Sequence, residues 1–254
     1  MAWGEGNAVA PAAGHRIERP PSMVELAAGA LRRMILGGDL LPGQRVVENQ
    51  LTRQLGVSRP PLREAMRMLE REGLIQHHVQ RGAVVTPLTI HDVYEIFTLR
   101  RNLERMAVDL GVPVRDPALL DRCRAALTAM EDAAERGDRA AMSECAFEFH
   151  LSVIGLSGHR RLEAAYRSLQ LQMLLCMALN RQAREQQRET MLEDAARHRR
   201  LLERIEAGDP EAVHHELAHH GDRTFLQRLD EVLEDGSEVA RAWLDRIRSG
   251  EDPS

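Results

Sequence analysis

Three histidines in the C-terminal part of the chain have the residue type and the spacing of a metal site. His150, His198 and His220 fall in three separate segments with helical periodicity. Imidazoles that converge from different helices can bind a divalent metal such as Zn, Ni or Mn and leave one coordination position for a ligand oxygen. A histidine inside a helical bundle can equally be an ordinary hydrogen-bonded core residue, so the pattern leaves both interpretations open.

Arginines near the N-terminus indicate a second chemistry, contact with nucleic acid. Arg63 and Arg67 are four residues apart and share one helix face, whereas Leu62 and Leu69 lie on another. A helix that packs by its leucines and exposes arginines suits the DNA major groove, where arginine pairs bidentately with guanine. Arg67 could instead contact phosphate or pair with a glutamate of its own helix.

Short structural elements must hold these arginines in place. Gly56 ends a preceding helix where a left-handed residue is favoured. Ser58 is a suitable N-cap for the arginine-bearing helix, and Pro60 and Pro61 are tolerated in its first turn. Together the two helices and their turn predict a helix-turn-helix.

The segments around this helix pair complete an N-terminal domain. Residues 23–36 have the pattern of an amphipathic helix, and the β-rich residues 74–79 and 83–86 flank Gln80, Arg81 and Gly82 as a hairpin, or wing. We therefore expect a winged helix-turn-helix over residues 23–87, preceded by a flexible tail at residues 1–22.

From residue 89 onward strand signals vanish and helical periodicity continues. Short loops between the segments imply antiparallel neighbours and hence a bundle of six or seven helices. The fold class is mainly α, with an all-helical domain at residues 88–235 and a tail or docking helix at 236–254. The helices are expected at residues 90–110, 116–136, 139–156, 160–184, 187–206 and 210–233.

The distribution of charge along the chain agrees with a division into an N-terminal domain and a helical domain. Residues 1–87 hold 11 Arg and 8 acidic residues, a net charge of +3, whereas the whole chain carries −5 and has no lysine. A basic first domain on an acidic remainder fits DNA contact by the first part, although +3 is also compatible with an ordinary solvated surface. No apolar run is long enough to span a membrane, no signal peptide pattern is present, and three cysteines without paired spacing predict a cytoplasmic protein.

Four stretches of the sequence resemble a known family. One stretch, LGVSRPPLREAMRMLEREGLI, resembles the DNA-binding helix pair of GntR-type bacterial repressors. The stretch that precedes it, ILGGDLLPGQRVVENQL, resembles the segment before that helix pair in the same family. Two further stretches, RRNLERMA and FEFHL, resemble parts of the all-helical FCD effector domain of the FadR subfamily. His198 and His220 follow these stretches in the same order as in that domain. The resemblance covers about residues 23–233.

The resemblance implies a homodimer that binds double-stranded operator DNA at a palindrome and releases it when a small metabolite enters the helical domain. It implies base contacts by Arg59 and Arg63, and a minor-groove contact by Arg81 and Gly82 at the wing tip. Ser58 would bind a phosphate at the helix N-terminus, where anions are favoured.

Arg100 is the effector-binding residue that the resemblance implies. In relatives the arginine of an R-x-x-L-E pattern points into the effector cavity, and Arg100 to Glu104 fit that pattern. A planar guanidinium suits a carboxylate, which makes a small carboxylate metabolite the expected effector. The alternative is an ordinary salt bridge between Arg100 and Glu104 along one helix face.

Two positions depart from the family pattern. Pro60 stands where many relatives have threonine, which removes one hydroxyl and one N–H from the phosphate contacts. Ala146 stands one turn before His150, where metal-binding relatives have Asp or Asn. A metal would therefore have three histidines, with water and effector completing its shell, and its presence stays open.

The leading hypothesis is a ligand-responsive transcriptional regulator without enzymatic activity. The alternative is a metal-dependent enzyme in the helical bundle with an accessory DNA-binding module, although no carboxylate is obviously placed as a general base near the histidines. A third class is an architectural DNA-binding protein whose bundle responds to no ligand.

Overall fold

The computed structural model describes residues 20–186, 188–220, 226, 229–233 and 236–249. The chain is mainly helical with one β-hairpin, as the sequence predicts. In chain order the elements are α1 (Met23–Leu36), α2 (Glu48–Leu55), α3 (Arg59–Arg71), β1 (Ile75–His78), β2 (Gly82–Val85), α4 (Ile90–Gly111), α5 (Pro117–Glu135), α6 (Arg139–Gly155), α7 (Arg160–Ser168), α8 (Gln170–Gln186), α9 (Met191–Ala207), α10 (Pro210–Ala218), α11 (Leu229–Val232) and α12 (Glu238–Arg248). Most of the tail expected at residues 1–22 lies outside the described residues.

The N-terminal elements form the expected helix pair and hairpin. Gly56 has a φ of 65° and turns the chain from α2 into α3, since that left-handed conformation costs glycine little. One face of α3 is buried through its apolar side chains, which include Leu62 and Leu69. β1 and β2 pair antiparallel with Ile75 opposite Val85. The hairpin therefore extends from the same core that anchors α3.

Helices α4 to α10 form the bundle, and the largest differences from the sequence expectation concern two of the predicted helices. The single helix predicted over 160–184 is two helices, α7 and α8. Tertiary contacts explain this break: Tyr166 of α7 bonds to Glu104 of α4, whereas α8 packs against α1 and α6. The helix predicted over 210–233 ends at Ala218, so His220 follows α10 instead of lying within it.

The C-terminal segment contains a docked helix. Trp243 of α12 packs edge-on against Tyr94 of α4, with ring centroids 5.6 Å apart, and the His91 ring bonds to the Ser237 hydroxyl at 2.7 Å. Within the segment 236–254, the described residues thus include a helix that packs on α4, and residues 250–254 lie outside the described residues.

One apolar core joins the winged helix to the bundle. Leu31 and Ile35 of α1 belong to the same cluster of buried side chains as Phe147 and Leu151 of α6 and Met173 of α8. The two parts are thus packed as one body in this structure. In the described part of the chain, every helix is too short or too polar to cross a membrane.

Candidate metal centre and nucleic-acid interface

The structure brings the three histidines together. His150 lies in α6, His198 in α9 and His220 just beyond α10, and all three are buried. Their ring centroids are 4.3–5.2 Å apart, and one nitrogen from each lies within 4.8 Å of the others. The donor set and the spacing fit one divalent metal ion.

Neighbouring groups orient two of these rings. His198 Nδ1 lies 2.9 Å from the backbone carbonyl oxygen of Asp194, and His150 Nδ1 lies 3.0 Å from the Glu104 carboxylate. Each oxygen can only accept, so each Nδ1 carries the proton and each Nε2 is left as the electron-pair donor. Second contacts of this kind set the tautomer that a metal ligand needs.

His220 gives the strongest sign that the cluster suits a metal. Both of its ring nitrogens are buried, and neither has a hydrogen-bond partner among the described residues. Burial is the largest cause that lowers the pKa of His220 well below its ordinary value, and the positive charges of Arg100 and Arg197 add to it, so the ring is neutral at pH 7. A buried polar atom without a partner is costly, and a metal would satisfy it.

Glu104 is a buried carboxylate that accepts hydrogen bonds from several side chains of the site. Its Oε1 accepts hydrogen bonds from Arg100 Nε at 2.9 Å and from the Tyr166 hydroxyl at 2.9 Å, in addition to His150. Burial by itself raises the pKa of Glu104, but the charge of Arg100 and the contacts with His150 outweigh burial and hold that pKa well below its usual range. The side chain is therefore ionised.

Arg100 makes the salt bridge that one interpretation of the sequence predicts, and it lies beside a cavity, where the other interpretation places it. It forms the i, i+4 salt bridge with Glu104, and it also lines the cavity beside the histidines, with Nη2 3.2 Å from His150 Nε2. The cavity measures about 580 Å³ and is bounded mainly by α6, α8 and α9. That volume accommodates a small metabolite.

Ala146 lines the same cavity and supplies no donor atom, as its type dictates. The sequence did not lead us to Asp194, a carboxylate that stands one turn before a histidine of the cluster on a different helix. Asp194 lies one turn before His198, lines the cavity and accepts a bond from Arg197 at 2.8 Å. The i, i+4 spacing of Asp194 and His198 was the signal that could have revealed it.

Two more cavity residues were missed, Asn180 and Arg181 of α8. The Asn180 side-chain oxygen is buried without a hydrogen-bond partner in the described ranges, and Arg181 donates to the Ser143 hydroxyl at 2.9 Å. Both follow the largely apolar, buried residues 174–179. Two polar residues at the end of such an apolar run could have indicated a buried polar site in the sequence, because buried polar groups require partners.

In the N-terminal domain, α3 exposes its arginines. Arg59 donates to the Asn49 side chain at 3.1 Å, and Arg63 pairs with Glu48 at 3.0 Å, both across to α2. Arg67 pairs with Glu64 of its own helix at 3.2 Å, which is the alternative contact foreseen for it. All three guanidinium groups lie at the surface.

The remaining candidates for nucleic-acid contact are also exposed. Ser58 is the N-cap of α3 but makes no side-chain capping bond, so its hydroxyl is not used by the helix. Arg81 and Gly82 lie at the tip of the hairpin, where Gly82 has a φ of 71°. These groups, like the α3 arginines, are therefore accessible to another molecule.

Family models match both parts of the chain. The model described as "Bacterial regulatory proteins, gntR family" matches residues 24–85, and the FCD domain model matches residues 95–223. The uncharacterized HTH-type transcriptional regulator YdhC of Bacillus subtilis is 32% identical over 88% of this chain and 98% of its own length. A probable D-xylose utilization operon transcriptional repressor of Paenarthrobacter nicotinovorans is 32% identical over 73% of this chain and 80% of its own length.

Solved structures have the same fold. A GntR transcriptional regulator from Rhodococcus sp. RHA1 has a TM-score of 0.57 and 25% identity, over 82% of this chain and 97% of its own. E. coli McbR/YncC has a TM-score of 0.55 and 24% identity, over 84% of this chain and 99% of its own. These relatives are described as transcriptional regulators or share their fold, and they give no support to the metal-dependent enzyme alternative.

Replacement of Glu104 tests the buried network. Glu104→Gln leaves the Arg100 charge without its counter-ion, and we expect the free energy of unfolding at pH 7 to fall by about 3–5 kcal/mol. The folded-state pKa of Glu104 lies below the unfolded value of about 4.3, so its stabilising effect is complete above that pH and is lost as the pH falls below it. The difference in the free energy of unfolding between the wild type and Glu104→Gln should therefore become smaller at acidic pH.

Urea unfolding at pH 7, 4 and 3 measures both effects. Glu203→Gln, at an exposed position of α9, is the matched control and should change stability by less than about 0.5 kcal/mol. Equal stability of the Glu104 and Glu203 variants at pH 7 would contradict the role given to Glu104.

Proposed function

The chain belongs to the GntR family of bacterial regulatory proteins and carries an FCD domain, and we propose that it represses transcription from a palindromic operator until a small carboxylate enters the cavity. In this proposal residues 23–87 bind DNA, residues 88–235 bind the effector and dimerise, and the protein acts in the cytoplasm. The observation that carries the proposal is the buried histidine and arginine cavity, which shares one packed body with a helix that exposes arginines. The repressor among the relatives favours repression.

Arg59 and Arg63 are the proposed base-reading residues. Arg63 must exchange Glu48 for a base edge, and this exchange is favourable because an exposed ion pair contributes about 0–1 kcal/mol whereas a bidentate arginine–guanine pair contributes about 1–3 kcal/mol. The same argument applies to Arg67 and its pair with Glu64. Its place on α3 then allows either a base or a phosphate contact.

Ser58, Arg81 and Gly82 are assigned to the DNA backbone and the minor groove. Ser58 can donate its hydroxyl to a phosphate at the start of α3, while Pro60 and Pro61 leave this helix N-terminus with fewer N–H donors. We therefore expect the arginines to contribute more affinity than the helix terminus. A homodimer would place two such surfaces on the two halves of a palindrome.

His150, His198 and His220 are the residues that would hold a divalent metal, of which Zn, Ni and Mn suit imidazole ligands. When bound, such an ion supplies a Lewis-acid position for a carboxylate oxygen of the effector. Arg100 Nη2 lies 3.2 Å from His150 Nε2, so a metal on that nitrogen would replace this contact and leave the Arg100 N–H group to donate to the same carboxylate. Glu104 holds Arg100 and His150 in this geometry.

Regulation follows from differential binding. An effector changes DNA affinity only to the extent that it binds one arrangement of the protein better than another. Couplings of about 5- to 150-fold are typical of such systems. The cavity lies between helices of one packed body that includes α1, so a change in the spacing of α6 and α8 can reach the DNA-binding helices.

The DNA-binding surface is tested by replacing Arg63. Arg63→Ala should weaken binding to a DNA fragment from the gene's own upstream region by about 1–3 kcal/mol and reduce discrimination against unrelated DNA. Fluorescence anisotropy at fixed salt gives the affinity. Arg204→Ala, which removes the same charge from an exposed position of α9, should bind as the wild type does. Equal losses from both variants would indicate a non-specific charge effect and would contradict base reading by Arg63.

Metal content tests the histidine cluster. After incubation with ZnSO₄ and removal of excess ion, the full chain should retain about one zinc, as one tetrahedral site requires. His220→Ala should retain markedly less, whereas His78→Ala, at an exposed position of β1, should match the wild type. Elemental analysis gives the stoichiometry. Equal zinc in the His220 and His78 variants would remove the cluster as the binding site.

A further inference from the structure

The end of α10 carries a pair of histidines that belongs neither to the DNA-binding surface nor to the buried cluster. Residues 215–219 have the sequence HELAH, so His215 and His219 are four positions apart, the spacing that places two side chains on one helix face. We propose that this histidine pair is a second metal site, which lies at the surface and binds a divalent ion such as Zn, Ni or Cu reversibly from solution. The inference is independent of the proposed function.

The two rings are as close to each other as the rings of the buried cluster. Their centroids lie 4.4 Å apart, compared with 4.3–5.2 Å among His150, His198 and His220. His215 lies within α10 and His219 caps its C-terminus, with the His219 N–H bonded to the backbone oxygen of Glu216 at 3.1 Å. The helical turn therefore continues between the two histidines and keeps both rings on one side.

Both rings can offer a nitrogen to an ion. His219 Nδ1 lies 2.7 Å from the backbone carbonyl oxygen of His215, which can only accept, so Nδ1 carries the proton and Nε2 is left as the electron-pair donor. Among the described residues, the His215 ring contacts the His219 ring and makes no hydrogen bond. Both residues are exposed. An ion can therefore reach the histidine pair without crossing the apolar core.

The histidine pair borders a groove of about 360 Å³ between α4 and α10. The neighbouring His214 also lines this groove, but its Nε2 is bonded to the Asp109 carboxylate of α4 at 2.8 Å. An ion on the histidine pair thus has two protein ligands, and the groove provides space for the water molecules that complete its coordination shell. Two exposed ligands bind more weakly than three buried ones, so this ion is lost when excess metal is removed.

The sequence HELAH also matches the H-E-x-x-H pattern of zinc proteases, in which the glutamate is the general base. A catalytic zinc ion has three protein ligands. In the part of the chain that the structure describes, the set of three converging ligand groups is the buried cluster, which does not include the histidine pair. Glu216 is engaged with Arg200 of α9 at 3.7 Å. We therefore assign metal binding to this pair and no hydrolysis.

Equilibrium dialysis of the full chain against ZnSO₄ at pH 7 counts the sites. Analysed while free zinc is still present, the wild type should hold about two zinc ions, one in the buried cluster and one on the histidine pair. His215→Ala and His219→Ala should each hold about one. The matched control His78→Ala, which removes an exposed histidine of β1, should hold as much zinc as the wild type.

Hydrogen exchange locates the surface ion. An ion that bridges one helical turn restrains that turn, so zinc should slow exchange of the amides of residues 214–219 in the wild type and in His78→Ala. In His215→Ala the same amides should exchange at one rate with and without zinc. His215 is exposed, and its replacement should leave the stability of the chain almost unchanged, so the variant should fold.

Equal zinc in the wild type and in His215→Ala would overturn the surface site. Exchange over residues 214–219 that zinc leaves unchanged in the wild type would overturn it as well. His220→Ala separates this result from the metal of the proposed function, since it should lose the buried ion and keep the surface ion. Zinc content that falls in His215→Ala but not in His220→Ala would support the surface site and contradict a metal in the buried cluster.

Discussion

The packing of α1 against α6 and α8 is the constraint on which the rest of this structure depends. Leu31 and Ile35 are fully buried, and they share their core with Phe147 and Leu151 of the bundle. Burial of one such side chain is worth about 1.5–3 kcal/mol, so several of them make separation of the two parts unfavourable. A winged helix attached by a flexible linker would turn independently of the bundle. Here the core makes the position of α3 depend on the spacing of the bundle helices.

The ionised Glu104 is the second constraint, and it acts on the cavity. A buried carboxylate is stable only when its oxygens accept several hydrogen bonds, and Arg100, His150 and Tyr166 provide them from three different helices. The same bonds fix the orientation of His150 and of the Arg100 guanidinium. The cavity is thereby preorganised, so a ligand does not have to order these groups when it binds.

Local pattern was sufficient to predict much of the fold. Helix periodicity and the Gly56 and Ser58 signals predicted the helix pair, and the β-rich segments on either side of Arg81 predicted the hairpin. It also identified the three histidines that the fold brings together. The break between α7 and α8 could not be predicted this way, because it depends on tertiary contacts such as the one made by Tyr166. The early end of α10 has no signal in the local pattern either. The same limit applies to the pairing of Arg63 with Glu48 and to the position of Arg181 in the cavity wall, since both depend on how separate helices meet.

The central claim is that the DNA-binding helices and the cavity helices behave as one body. Native-state hydrogen exchange in increasing urea tests it most directly, by comparing amides of α3 with amides of α9. If one core holds both helices, their protection should be lost at the same urea concentration, as in a single cooperative unit. Loss of protection in α3 at a clearly lower concentration, with α9 still protected, would contradict the claim and would leave the cavity without a mechanical route to the DNA.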